Sequence, residues 1–307
     1  MSGYPKVSII LSVFRPNLDD LKRTIDSISN QTFLDYELLV VKDDAEQETL
    51  VKIQEVKKTI KNLIIIDNIV NIGLVKSLNI ALKMANGSYI ARIDVGDWWH
   101  SQKLYDQYRL MQKDGLILTG TQVKLFSVDL NRLIKQTSPL SDIEIRRSLR
   151  DGKNPFVHSS VMFKKIDNIF YNEDALHTED FELWCRYSFI GRMECLKGHY
   201  TNYIVDINSI TGSKRYLMFA NSTIVYINFL KCLHKNIEPK ASDLIAIPVD
   251  KMSYLDTIFS KLYSASENER MKSRYLKYLM MVLLSIIINP KVLFLMFKRK
   301  LNKLYYA

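Results

Sequence analysis

Four short apolar runs, alternating with amphipathic helical stripes, constrain the first hundred residues to one kind of architecture. Val7–Phe14, Tyr36–Val41, Leu63–Ile66 and Tyr89–Ile93 read as strands. Between them, Leu18, Leu21, Ile25 and Ile28 recur at helical spacing, as do Leu50, Ile53, Val56 and Ile60. A third stripe, Leu74, Leu78, Ala81, Leu82 and Ala85, stops at the helix-ending pair Asn86-Gly87. Strands that are apolar on both faces must be covered on both faces. The alternation therefore predicts an α/β fold with a mostly parallel sheet flanked by helices.

Ligands of such sheets bind at the carboxyl ends of the strands. The polar residues at those ends are Ser12 and Arg15, then Asp43 and Asp44, then Asp67, then Asp94 and Asp97. Carboxylates placed where a strand opens into a loop suit a hard divalent cation that also holds phosphate oxygens. Ser12-Val13-Phe14-Arg15-Pro16 is neither a P-loop nor a G-x-G-x-x-G turn, which disfavours a P-loop nucleotidase and a dinucleotide fold.

From Leu116 the pattern is less regular. Ile117–Phe126 and Val157–Phe163 read as strands, and Asp142–Arg150 and Glu179–Phe189 as helices. Beyond about Arg215 the chain reads as a helical appendage rich in Tyr, Phe, Leu and Ile. Cys185, Cys195 and Cys232 lack metal-ligand spacing, and Met1–Lys6 has no apolar signal core. These features point to a reducing cytoplasm.

The formal charge of +10 admits nucleic acid, an anionic membrane surface or a phosphorylated substrate as partner. Lys291, Lys298, Arg299, Lys300 and Lys303 follow Tyr278–Ile288, which is apolar apart from Ser285. Neither this run nor Val292–Phe297 reaches the ~20 residues of a spanning helix. Two readings stand: helices lying in the headgroup region of a cytoplasmic leaflet, or a buried C-terminal helical hairpin. The basic residues are interleaved with aliphatic runs rather than with stacking aromatics on a sheet, which argues against nucleic acid.

Several segments resemble, in order, family 2 glycosyltransferases of the GT-A fold. They are Lys6–Phe14, Ser27–Phe33, Tyr36–Asp43, Asn71–Leu74 with Leu78-Asn79, Gly87–Asp94, Asn154–Phe163 and Glu179–Trp184. The resemblance implies a nucleoside-diphosphate sugar donor, most often a UDP-sugar. Asp43 would accept a hydrogen bond from the base, with Ser12 and Arg15 bordering base and ribose. The family's Asp-x-Asp-Asp metal motif falls on Asp94-Val95-Gly96-Asp97, without its middle acid. Asp97 is then the ligand for Mn²⁺ or Mg²⁺, and Asp94 a ribose or sugar contact.

Asp180, in Glu179-Asp180, resembles the family's general base; read without the resemblance, the pair is ordinary acid at a helix start. Other candidates for substrate contact are Trp98, Trp99, His158, Glu179, Lys214 and Arg215. Core packing competes for the tryptophans, a structural role for His158, and a solvated turn for Lys214 and Arg215.

The expected organisation is a glycosyltransferase domain over residues 1–215, with about 1–115 binding the donor and 116–215 the acceptor. Residues 216–307 form the membrane-associating helical region. The expected function is inverting transfer of a hexosyl or N-acetylhexosaminyl group to a saccharide acceptor. That acceptor is a lipid-linked glycan of bacterial O-antigen, capsule or exopolysaccharide assembly, met at the inner face of the plasma membrane. The alternatives are a sugar nucleotidyltransferase and a non-catalytic membrane-associated partner.

Overall fold

A computed structural model describes residues 4–44, 46–56, 60–127, 132–205 and 215–244. Strands β1 (Val7–Val13), β2 (Tyr36–Lys42), β3 (Leu63–Asp67) and β4 (Tyr89–Asp94) pair in parallel in the order β3-β2-β1-β4. The sheet then continues through β8 (Met162–Lys164), β6 (Leu118–Ser127), β9 (Met193–Val205) and β5 (Trp98–Trp99), with β7 (Arg132–Gln136) beside β6. β6 and β9 are again parallel, and antiparallel pairs join β8, β7 and β5 to this framework.

Alternation along each strand divides the core between two layers. Val7, Ile9, Leu11 and Val13 of β1, with Leu38 and Val40 of β2, pack on α1 (Leu18–Ser29), α2 (Gln47–Val56) and α4 (Lys103–Asp114). Ile10, Leu39 and Val41 face α3 (Leu74–Met84), α5 (Asp142–Arg150), α6 (Glu179–Ile190) and α7 (Arg215–Lys235). Asn17 starts α1 by accepting the N–H groups of Asp19 and Asp20 at 2.9 and 3.2 Å, and a Ser141/Glu144 capping box starts α5.

The sheet is the expected α/β one, but the second half departs from the sequence reading. Val157–Phe163 is not one strand: His158–Ser160 is a 3₁₀ turn, and β8 begins only at Met162. Ser160 supplies the reason, since its hydroxyl and its N–H both donate to the carbonyl of Val157, at 2.7 and 2.9 Å. Helix α7 buries Val225, Phe229 and Cys232 in the same core as α6, and all three cysteines are buried thiols. Among the described residues no helix is long and apolar enough to cross a membrane. Lys214 and the basic, apolar segment 278–303 lie outside the described residues, as does all of 245–307.

Candidate active site

Register places the sequence-predicted residues along one edge of the parallel strands. Ser12 of β1 is level with Val41 of β2 and with Asp94 of β4. Asp43 follows β2, its N–H donating to the carbonyl of Val13 at 2.8 Å. Its carboxylate is already engaged: Oδ1 accepts from the Ile72 N–H and from Asn68, and Oδ2 from the Gly73 N–H at 2.9 Å. Asp43 thus pins the loop that leads into α3. Arg15 sits at φ 41° with its side chain 66% exposed, pairs with Glu46 at 3.0 Å and lies over the Phe14 ring. Asp44, beside it, takes the backbone N–H groups of Arg15 and Glu46.

The β4 turn carries the second group. Asp94 receives two contacts from the buried Arg92 guanidinium, one of them at 2.6 Å, and Ser159 donates to its Oδ2 at 3.3 Å. Thr24 of α1 clamps the turn, its hydroxyl donating to the carbonyl of Asp97 at 2.8 Å and accepting the Gly96 N–H at 3.0 Å. Gly96 adopts φ +99°, a conformation that L side chains rarely adopt. Asp97 is buried; Oδ1 accepts the Ile204 N–H at 3.2 Å, and Oδ2 has no partner among the described residues. Burial, then the charge of Asp94, pushes its carboxyl well above the usual carboxylate range.

Helix α6 brings the third group to the same place. Asp180 accepts from Asn154 and from the Phe181 N–H, both at 2.7 Å. Glu179 is buried beside it, and burial together with the Asp180 charge pushes its carboxyl up to about 7. Asp180 is raised as well, by burial, against those two hydrogen bonds and the Arg92 charge. The helix start therefore holds two carboxyl groups both raised above their ordinary values by burial, a setting suited to moving a proton. His158 is buried with Nε2 at 2.8 Å from the Tyr171 hydroxyl. Burial, then the Arg92 charge, holds it well below the usual histidine range, so it is neutral.

The tryptophans divide. Trp99 lies in the core and donates Nε1–H to the carbonyl of Ser159 at 2.8 Å, so it supports the site from beneath. Trp98 is half-buried between Arg23 and Phe126. Arg215 is the first residue of α7. Sequence reasoning passed over Arg92, Ser159, Tyr171 and Asn154. For Arg92 a signal existed: a cation inside an apolar strand, two residues before Asp94, shares that residue's face.

Among the described residues no three His, Cys, Asp or Glu side chains gather as a metal cluster. Asp94 is held by Arg92, and the position of the motif's middle acid is Gly96. What fits a divalent ion is the unpartnered Oδ2 of Asp97, a single protein oxygen. Such an ion would have to take its remaining ligands from a substrate diphosphate and water.

Four parallel strands, three of them ending in acids, extended by antiparallel strands and a helix carrying a second acidic pair, constitute the GT-A type of fold. Solved structures agree. S. aureus TarS in complex with UDP-GlcNAc superposes with a TM-score of 0.60 at 18% identity, covering 78% of this chain and 69% of that one. The mannosyltransferase PcManGT from Pyrobaculum calidifontis, in complex with GDP-Man and Mn²⁺, gives 0.55 at 14% identity over 94% of this chain and 82% of its own.

The chain belongs to glycosyl transferase family 2, whose model matches residues 8–173. An uncharacterized glycosyltransferase of Haemophilus influenzae is 26% identical over 65% of this chain, and the match spans 64% of that relative's length. The O-antigen biosynthesis glycosyltransferase WbnJ of Escherichia coli is 30% identical over 59% of this chain and 70% of its own. An E. coli UDP-Glc:α-D-GlcNAc-diphosphoundecaprenol β-1,3-glucosyltransferase, WfgD, is 28% identical over 50% and 65%.

Proposed function

We propose that this chain is an inverting glycosyltransferase, moving a hexosyl or N-acetylhexosaminyl group from a UDP-sugar to a lipid-linked glycan in bacterial surface-polysaccharide assembly. One observation carries the reading: the segment 154–159 holds acids of both groups, Asn154 donating to Asp180 at 2.7 Å and Ser159 to Asp94 at 3.3 Å. A donor held at the strand ends and a proton acceptor therefore meet across that segment. Residues 1–115 hold the donor and 116–215 shape the acceptor side. The basic, apolar segment within 216–307 meets an anionic bilayer at the inner face of the plasma membrane.

In the reaction the acceptor hydroxyl oxygen bonds to the anomeric carbon on the face opposite the diphosphate. The bond from that carbon to the phosphate oxygen breaks, the nucleoside diphosphate leaves with the electron pair, and the hydroxyl proton passes to Asp180. Asp43 and Ser12 border the base and ribose with Arg15, and Asp94 contacts ribose or sugar. Trp98 borders the sugar. Mn²⁺ or Mg²⁺, held through Asp97, would stabilise negative charge on the diphosphate. The neighbours' nucleotide-sugar complexes and the polysaccharide names of the relatives support donor and acceptor class.

The test begins with a thermal-shift screen of nucleotide sugars with and without Mn²⁺, because a ligand selective for the native state raises its apparent stability. With the donor found, Asp180→Asn is expected to lower turnover roughly 10²- to 10⁴-fold while leaving donor binding intact. Unchanged turnover would remove Asp180 from its role, and no stabilisation by any nucleotide sugar would remove the reading itself.

A further inference from the structure

Arg92 is 3% exposed in the middle of β4, where Ile90, Ala91 and Ile93 are buried aliphatic residues. Nη1 donates to Asp94 Oδ2 at 2.6 Å and Nη2 pairs with Oδ1, but the buried Nε has no partner among the described residues. A guanidinium withdrawn from water with an unmade hydrogen bond is costly, and an aliphatic residue would fit the strand without that cost. The groups around it explain the charge. Asp94 and Asp97 approach from the end of β4, and Glu179 and Asp180 from the start of α6, 85 residues apart at Asp94 and Glu179. The other titratable neighbours are Tyr171 and the neutral His158. The Asn154–Asp180 and Ser159–Asp94 hydrogen bonds, from one short segment, tie the start of α6 to the β4 turn, and for Glu179 and Asp180 alike the cation that favours the ionised form is Arg92.

We propose that Arg92 is a positioning residue, the internal counter-charge that lets the donor-side acids and the acceptor-side acids be held close together. It touches no reacting atom; it acts by fixing Asp94 directly and by cancelling the repulsion that would drive α6 away from the β4 turn. Its effect on turnover rests on the glycosyl-transfer reading, whereas its effect on charge balance does not.

The experiment is a double-mutant cycle on the ligand-free protein, with Arg92→Met, Glu179→Gln and their combination compared by thermal denaturation at pH 7.5. Arg92→Met is expected to lower Tm by about 5 °C or more, and adding Glu179→Gln to restore at least about half of the loss, because one of the repelling acids is then neutral. Additive or independent losses would overturn the proposal, since a role in packing alone gives no such rescue. Arg92→Lys keeps the charge and is expected to stay within about 3 °C of wild type. With the donor in hand it should lower kcat/KM about tenfold, as Asp94, the donor contact, loses its second bond.

If Arg92→Met fails to fold, Arg92→Lys and Arg92→Gln decide: a lysine variant as unstable as the glutamine variant overturns the counter-charge role. If no donor supports transfer, the enzymatic reading falls, while the stability cycle still decides whether Arg92 balances the acids.

Discussion

Asp97 has one carboxylate oxygen bound to the Ile204 N–H and another bound to nothing among the described residues, buried next to Asp94. Asparagine has the same shape and keeps an oxygen for Ile204, while removing a charge that Asp94 opposes. Asp97→Asn is therefore expected to leave Tm within about 2 °C of wild type or to raise it. The same change is expected to weaken Mn²⁺-dependent UDP binding at least about tenfold, read by calorimetry. Equal affinity would take Asp97 out of the metal role. Residues of this kind were legible because an acid just past an apolar strand has few structural reasons to be there. Arg92 was less so: its value lies in Glu179 and Asp180, far along the chain. Asp43 was legible as a rim acid, but its grip on the Ile72 and Gly73 N–H groups is a contact across 29 and 30 residues that no local pattern encodes.

The strands that hold these residues depend on a close approach between the α3–β4 loop and β1. Gly87 donates its N–H to the Ser8 hydroxyl at 2.8 Å, and that hydroxyl donates to the buried Glu37 carboxylate at 2.6 Å. A Cβ on Gly87 would lie 2.5 Å from the Ser8 nitrogen and 2.7 Å from the Val7 carbonyl carbon, atoms of a central strand that cannot swing aside. Gly87→Ala is expected to cost about 2–3 kcal/mol, measured by denaturant unfolding, and a loss under about 0.5 kcal/mol would refute the contact. The sequence marked this place only as a helix stop.

Elements β1 to β4 were readable because burial on both faces leaves nearly continuous apolar runs. Strand β9 was not, since Lys197, Gly198, His199, Thr201 and Asn202 interrupt its apolar character and its register against β6 shifts near Gln122. Helix α4 was hidden too. Lys103 and Gln107 are buried on its inner side and satisfy each other at 2.7 Å, which breaks the hydrophobic period.

Across the whole molecule the acids are held in a way that sets its response to pH. Burial pushes Glu179 up to about 7 and Glu182, beside Arg186, up to about 6, against an ordinary value of 4.5. Asp97 and Asp180 are raised as well, chiefly by burial. From about pH 4.5 to 7 the folded chain keeps protons that the unfolded chain has released, so raising the pH through this window lowers stability. His158 and Lys103 act in the opposite sense. Burial lowers both, and the unfolded chain then holds protons the folded chain lacks, His158 below about 6.5 and Lys103 below about 10.5. Asp44 is held low by the Arg15 and Glu46 N–H groups and the Lys42 charge, although burial opposes them, and its contribution is lost only as pH falls through its lowered value.

Glu179 and Glu182 are expected to make the ligand-free protein lose stability as the pH rises from about 5 to 7.5, with His158 and Lys103 opposing them. Chemical denaturation across that range measures it, and a stability that climbs steadily to pH 7.5 would mean these acids are not buried together. Glu179→Gln removes the carboxyl that stands at about 7 and should flatten the upper part of the slope, from about pH 6 to 7.5. Glu182→Gln removes the carboxyl that stands at about 6 and should flatten the lower part of the slope, from about pH 5 to 6. The two variants together assign the upper and lower parts of the slope to two buried acids of one helix, Glu179 at its start and Glu182 one turn on.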